Sequence, residues 1–249
     1  MSREKLCIRN WQNIMQSKPQ LFCFTYAGGN KEFFSDIEKD LDRISVCALE
    51  YAGHGERYRE SFYTDFDELA DDIFREVKDR VIGEYALFGY SMGSITLLEV
   101  LKRIIATNLP MPTNVFLAAH EPRTNFEIVG FTENEFDNWV KDRTIRFGGV
   151  PDKLLNNNTF WRMYLPLFRA DYMIIEKYEF EKLKLLSGIP ATIFYSEKDT
   201  PYKNMKLWKK YFNGSCEYYQ FEGTHFFIQQ HHEEMAKIIR EKMESNHGV

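Results

Sequence analysis

Residues 87–93 read Leu-Phe-Gly-Tyr-Ser-Met-Gly and join an apolar run to a long apolar helical pattern. The spacing Gly-x-Ser-x-Gly constrains the fold more than any other stretch of the chain. A serine on so sharp a strand-to-helix turn crowds the residues two positions to either side. Gly89 and Gly93 carry no Cβ, so the strand and the helix can approach each other there. The turn also places the free N–H groups of a helix N-terminus beside the serine oxygen, where they favour negative charge. This context makes Ser91 a candidate nucleophile. It also calls for a sheet whose strands lead directly into helices.

The rest of the chain supplies such a sheet. The 249 residues suffice for one large α/β domain, read here as a single unit over 1–249. Leu21–Phe24, Ile44–Leu49, Tyr85–Gly89, Val115–Ala119 and Ala191–Ser196 are short apolar runs of the kind expected in buried strands, and Cys216–Phe221 reads as the last strand. A weaker edge strand is expected near Lys5–Ile8. Helical spacing links the runs: Phe33, Ile37 and Leu41; then Phe66, Leu69, Ile73, Phe74 and Val77; then Ile95, Leu98, Leu101 and Ile104. Asp65 with Glu68 has capping-box spacing, and Gly83 is suited to the helix end. Strands alternating with helices predict a mainly parallel sheet with right-handed crossovers. Sites in such sheets lie at the carboxyl ends of the strands.

The alternation breaks between about 123 and 178. Thr132 and Glu135 frame a capping box, and a second helical stretch carries Trp161, Tyr164, Leu167 and Phe168, with Pro166 expected to bend or break it. This insertion, 123–178, is expected to form a helical lid. Its aromatics either line an acyl pocket or bury the lid against the body.

Composition narrows the function. A formal net charge of −5 argues against a general nucleic-acid binder. The N-terminus has no apolar signal core and no run reaches membrane-span length, so the expected location is the cytoplasm and no membrane partner is expected. Cys7, Cys23, Cys47 and Cys216 show neither metal nor disulfide spacing, and the last three are expected to be small buried hydrophobes. No metal and no cofactor is implied.

A serine hydroxyl needs a base to take its proton, and the base needs a third group to orient it. Hydrolases with this strand–turn–helix serine place them in the order Ser, acid, His, each after a strand. Ser91, Asp199 and His225 satisfy order and placement. His54 and His120 are competing bases, since both follow strands; Glu121 is a competing acid. The adjacent His231 and His232 are expected to be solvated. The oxyanion donors are expected to be the backbone N–H groups of Met92, just after the nucleophile, and of Ala27, in the loop after the first long strand. Tyr26, Trp161, Phe168 and Phe226 are candidates for the substrate pocket. Lys203, Lys206 and Lys210 share one helical face, most simply a solvated one.

With these residues in place, the chain resembles the type II thioesterases that accompany nonribosomal peptide and polyketide synthases. Phe22-Cys23-Phe24-Thr25-Tyr26-Ala27-Gly28-Gly29, Gly53-His54-Gly55-Glu56-Arg57, Gly89-Tyr90-Ser91-Met92-Gly93, Leu165-Pro166-Leu167-Phe168-Arg169-Ala170-Asp171-Tyr172 and Gly223-Thr224-His225-Phe226-Phe227 each resemble a motif of that family. The departures are Thr25 for a proline, Ala52 and His54 for a proline and an arginine, and Tyr90 for a histidine. The resemblance implies an α/β-hydrolase fold. It also implies a Ser-His-Asp thioesterase that frees acyl or aminoacyl groups from the phosphopantetheine arm of a carrier protein, its partner, and so edits misprimed or stalled synthases. A monomer is expected. Two other readings stand beside it: a hydrolase of acyl-coenzyme A, medium-chain acyl thioesters or small esters, and a catalytically idle carrier-binding protein.

Overall fold

The computed structural model describes residues 18–123, 127–184 and 188–245. Six strands, β1 (Gln20–Phe24), β2 (Ser45–Ala48), β3 (Tyr85–Tyr90), β4 (Val115–Ala118), β5 (Ala191–Tyr195) and β6 (Cys216–Gln220), form one sheet. Their order is β2-β1-β3-β4-β5-β6, and every neighbouring pair is parallel. The α-helices are α1 (Ser35–Asp40), α2 (Phe66–Arg80), α3 (Met92–Thr107), α4 (Glu133–Phe147), α5 (Asn158–Glu176), α6 (Tyr202–Met205) and α7 (Ile228–Glu244). This is the parallel sheet flanked by helices that the alternation predicts, and the α/β-hydrolase architecture that the resemblance implies. None of the described helices is long and apolar enough to cross a membrane.

Successive strand side chains point to opposite faces, and the core divides accordingly. Leu21, Cys23, Ala86, Phe88, Phe116 and Phe194 pack on one face with α1 and α7, through Ile37, Met235 and Ile239. Phe22, Phe24, Leu87, Leu117 and Ile193 pack on the other with α2 and α3, and with Val140, Phe168 and Ile175 of the inserted helices. The continuous apolar runs of β1, β3 and β4 are thus explained by burial on both sides.

Several local expectations are refined. β2 is less buried than its sequence suggests: Ser45 is exposed and Val46, Cys47 and Ala48 are half-buried. The cause is its place at the sheet edge, paired only with β1. Cys23 is buried, but Cys47 and Cys216, on the two edge strands, are half-buried thiols. Asp65 caps α2 by accepting from the Glu68 N–H at 2.8 Å. The Glu68 carboxylate reaches back one residue further, to the Thr64 N–H at 2.9 Å, so the box is displaced rather than reciprocal. Gly83 lies beyond the cap Val81, at φ 78°. At α4 both halves of the Thr132–Glu135 box are made.

Pro166 does not break its helix, because α5 runs unbroken from Asn158 to Glu176. Its bulk faces a helix already fixed by a buried stripe of Trp161, Phe168, Tyr172 and Ile175. His231 and His232 are half-buried and partnered rather than solvated. Backbone φ/ψ leaves the helical region at His231. His231 Nε2 meets the Glu222 carbonyl at 3.0 Å, and His232 Nδ1 meets Asp40 Oδ2 at 2.6 Å. The strand expected near Lys5–Ile8 lies outside the described residues.

The tightest packing is at the β3–α3 junction. A Cβ at Gly93 would stand 1.9 Å from the Phe24 carbonyl oxygen, and one at Gly89 would stand 2.3 Å from the Gly93 carbonyl oxygen. These are backbone atoms, so a methyl group there must displace the sheet or the helix. We expect Gly93→Ala to lower stability by about 2 kcal/mol or more, read from the urea midpoint. An unchanged midpoint would show that the junction has slack.

Candidate active site

Ser91 sits between β3 and α3 at φ 54°, ψ −120°. A non-glycine residue in that region costs about 1–3 kcal/mol and persists only where its surroundings over-determine it. Here the Ser91 N–H donates to the Ala118 carbonyl at 2.8 Å, which extends the β3–β4 ladder into the turn. Ser94 Oγ donates to the Gly89 and Ala118 carbonyls at 3.0 and 3.2 Å, closing the turn from inside. The serine oxygen is thereby held at the carboxyl edge of the sheet, at the start of a sixteen-residue helix.

Two loops from the same edge meet it. His225 follows β6 and Asp199 follows β5. His225 Nε2 lies 2.9 Å from Ser91 Oγ, and His225 Nδ1 lies 2.9 Å from Asp199 Oδ1. An Nδ1–H donated to the carboxylate leaves Nε2 as the acceptor facing the hydroxyl, the tautomer a general base needs. The side chains of His225 and Asp199 are 7% and 5% exposed, which keeps bulk water from competing for these bonds. The His225 ring is sandwiched from the insertion side by Phe147, stacked at 4.3 Å. Ser196 Oγ donates to the Gly223 carbonyl and so ties the Asp199 loop to the His225 loop.

The competing assignments fall elsewhere. Glu121 is engaged by Arg123 Nε at 2.7 Å and by the Asn204 amide. The Nε2 of His54 meets Asp171 Oδ2 at 2.9 Å, and its Nδ1 meets the Ala52 carbonyl at 3.0 Å. The ring of His120 packs near Phe180 at 5.8 Å, and burial pushes its pKa down to about 3, so it is neutral.

Sequence reasoning did not assign Asp171 a role. It lies on α5, is 3% exposed, and accepts from the Gly28 N–H at 2.6 Å as well as from His54. Gly28 adjoins Ala27 and has φ 78°; a Cβ there would stand 2.1 Å from the Phe168 ring. One carboxylate thus pins the turn after β1, the loop after β2 and the inserted helix together. Among the described residues, no backbone acceptor takes the Ala27 or Met92 N–H outside the helix and strand ladders. Tyr90, a departure from the family motif, is fully buried, and its hydroxyl donates to the His225 carbonyl at 2.6 Å. The spacing that gave away Ser91 has no counterpart for these contacts, which span 143, 117 and 135 residues.

Three cavities open at this point. One of about 20 Å³ is mostly aromatic and is lined by Tyr26, Ala27, Ser91, Phe168, Phe226 and others. A second, of about 100 Å³, leads from Ser91 past His120, Glu121, Arg143 and Thr200. A third, about 340 Å³, lies outside His225 and carries Arg123, Arg143, Arg146 and Lys198 against Glu127 and Asp199. Of the four expected pocket residues, Tyr26, Phe168 and Phe226 line the first cavity. Trp161 lines none of the three; its indole donates to the Leu155 carbonyl at 2.8 Å and it packs within the core.

A family model described as "Thioesterase domain" matches residues 19–243. The linear gramicidin dehydrogenase LgrE of Brevibacillus parabrevis is 27% identical over 90% of this chain and 88% of its own length. The medium-chain S-acyl fatty acid synthase thioesterase of Rattus norvegicus is 28% identical over 85% and 82%. Among solved structures, ClbQ from the colibactin NRPS/PKS pathway superposes with a TM-score of 0.82 at 25% identity, covering 92% of this chain and 98% of that one.

Two outcomes follow from the Asp171 junction. The Gly28 N–H and His54 Nε2 both meet Asp171 Oδ2, so Asp171→Asn keeps an acceptor there but removes the charge that strengthens both bonds. It should lower kcat by about tenfold to a hundredfold while changing KM far less; an unaltered kcat on a thioester would remove Asp171 from the account. Burial pushes the His54 pKa down, but the Asp171 charge and the bonds to Asp171 and Ala52 outweigh it, so the net shift is upward. A histidine with a raised folded pKa adds stability that is complete below the unfolded value near 6.5 and is lost as pH rises through the folded value. The gap in urea midpoint between wild type and His54→Gln should therefore narrow from pH 6 to pH 9. A gap that widens would reverse the assigned sign.

Proposed function

The chain belongs to the thioesterase domain family, and on that premise we propose that it frees acyl or aminoacyl groups from the phosphopantetheine arm of carrier proteins, editing nonribosomal peptide or polyketide synthesis. The family makes it a thioester hydrolase. The observation that carries the reading further is the continuous hydrogen-bonded line from Asp199 through His225 to Ser91.

In this reading Ser91 Oγ attacks the thioester carbonyl carbon as His225 Nε2 takes its proton. The oxyanion is received by the N–H groups of Ala27 and Met92, in a place where removing one donor typically costs about 10²–10³ in rate. His225 returns the proton to the departing thiolate. A thiol with a pKa near about 8.5 leaves more readily than an amine, so this step asks little of the acid. Water deprotonated by His225 then cleaves the acyl-serine.

The carrier as partner is supported by the relatives. One is named for linear gramicidin and one solved neighbour for an NRPS/PKS pathway. It is also supported by the outer cavity, whose four cations against two carboxylates suit the phosphate of a phosphopantetheine arm. Lys203, Lys206 and Lys210 are exposed and extend the options for meeting an acidic carrier. A monomer acting in the cytoplasm completes the reading. A second reading, hydrolysis of medium-chain acyl groups from coenzyme A or a fatty acid synthase, is favoured by the rat relative's name. The inner cavities of about 100 and 20 Å³ are small for a medium chain, which weighs towards the first.

Ser91→Ala should abolish acid release from acyl-loaded carriers while leaving the near-ultraviolet dichroism unchanged. For one acyl group, kcat/KM should be at least about tenfold higher on the carrier than on coenzyme A, the ratio that about 1.4 kcal/mol of carrier contact supplies. Equal values would favour the second reading, and full activity of the alanine variant would dismiss Ser91 as nucleophile.

A further inference from the structure

Among the described residues six buried side-chain atoms lack a hydrogen-bond partner: Thr25 Oγ1, His120 Nδ1, Arg143 Nε, Glu176 Oε1, Asp199 Oδ2 and Thr200 Oγ1. Buried polar atoms are paired in the great majority of cases, so each exception calls for a reason. His120, Arg143, Asp199 and Thr200 all line the cavity of about 100 Å³ that begins at Ser91. Four residues that each keep an unpaired buried atom share one small cavity beside the nucleophile, a wall with hydrogen-bonding capacity left over.

The wall is rigid. The Arg143 guanidinium lies 4.8 Å from the Trp139 ring centre, 5.3 Å from that of Phe147 and 5.7 Å from that of Tyr172. Its terminal nitrogens face Glu127 at 3.4 Å and Glu176 at 3.8 Å, and Nε is the edge left without a partner. Across the cavity Ala119 holds φ 54°, a second strained non-glycine position, and it starts the segment that sets His120 and Glu121 on the wall.

We propose that this cavity is the acyl subsite and that it takes a short acyl chain bearing a hydroxyl on one of the two carbons beyond the thioester carbonyl. The proposal rests on the thioesterase reading above and names its substrate class. Arg143 Nε–H only donates, Asp199 Oδ2 only accepts, and the Thr200 hydroxyl and a neutral His120 imidazole do either. A substrate hydroxyl also does both, so it can answer both kinds of wall atom. A methyl group answers none of them and leaves buried polar groups unpaired. An ammonium supplies donors alone, so it can answer Asp199 Oδ2 but leaves the Arg143 Nε–H without an acceptor. Burial first, with the Arg143 and Arg123 charges adding to it, lowers the His120 pKa, so its imidazole stays neutral and can donate or accept.

The test uses two isosteric sets of N-acetylcysteamine thioesters with the purified full chain. One set is 2-hydroxypropionyl, 2-methylpropionyl and 2-aminopropionyl; the other is 3-hydroxybutyryl, 3-methylbutyryl and 3-aminobutyryl. Each kcat/KM is divided by the hydroxide-catalysed rate of the same ester, which removes intrinsic reactivity. In at least one set the hydroxy compound should exceed its methyl isostere by about tenfold or more, and in that set it should exceed the amino compound as well. Thr200→Val and Arg143→Lys should each draw the hydroxy-to-methyl ratio towards one, a readout unaffected by a general loss of active protein. Hydroxy and methyl compounds of equal rate in both sets, an amino compound that is fastest, or ratios unmoved in both variants would overturn the proposal. Turnover of the methyl compounds alone would leave the thioesterase reading standing without it, and no turnover of any ester would remove both.

Discussion

The backbone of Ser91 is held where a serine does not go unaided, at φ 54°, ψ −120°, and every other feature of the site presupposes it. Two conditions hold it there. Gly89 and Gly93 let β3, β1 and α3 approach to distances that no Cβ tolerates. The Ser91 N–H remains part of the sheet ladder through Ala118. The serine is therefore fixed to the rigid centre of the sheet, with β1 on one side and β4 on the other. His225 and Asp199 approach from loops after β6 and β5, so their 2.9 Å contacts require those loops to be positioned by something more than the sheet.

That further support comes from contacts long in sequence. Tyr90 reaches from the elbow strand to the His225 carbonyl, Ser196 reaches from the acid loop to the histidine loop, and Phe147 covers the imidazole. Asp171 performs the corresponding service for the turn after β1, holding Gly28 while paired with His54. The insertion between β4 and β5 is consequently more than a cover. Its second helix is stitched to the turn after β1 by a buried carboxylate and by the Phe168 ring against Gly28, and its first helix contributes the ring stacked on His225. Any opening of this insertion must break charged hydrogen bonds in a buried setting, which argues for entry by the cation-rimmed cavity outside His225 rather than by lifting the whole insertion.

Much of this was legible in the chain. β1, β3, β4 and β5 were visible because double-sided burial leaves unbroken apolar runs, and the order Ser, Asp, His along successive strand ends pointed to Ser91, Asp199 and His225, the three residues that the fold draws together. The edge character of β2 was hidden, since Ile44 and Leu49 at its ends are buried while the four residues between them are not. The continuity of α5 through Pro166 was hidden because local propensity opposed it and tertiary burial decided it. The roles of Asp171, Tyr90 and Arg143 left no local signal. Each depends on a partner more than a hundred residues away or on a cavity wall assembled from several elements, and spacing within one segment carries no trace of either.

The central claim is that strained backbone, imidazole and carboxylate together make one oxygen in this chain a nucleophile. Reaction with a fluorophosphonate followed by peptide mapping tests it most directly, because covalent capture reports both the activated atom and its identity. A single adduct on Ser91 is expected in the wild-type protein, with its near-complete loss in His225→Gln. An adduct on a different residue, or labelling of Ser91 at the same rate without the imidazole, would contradict it.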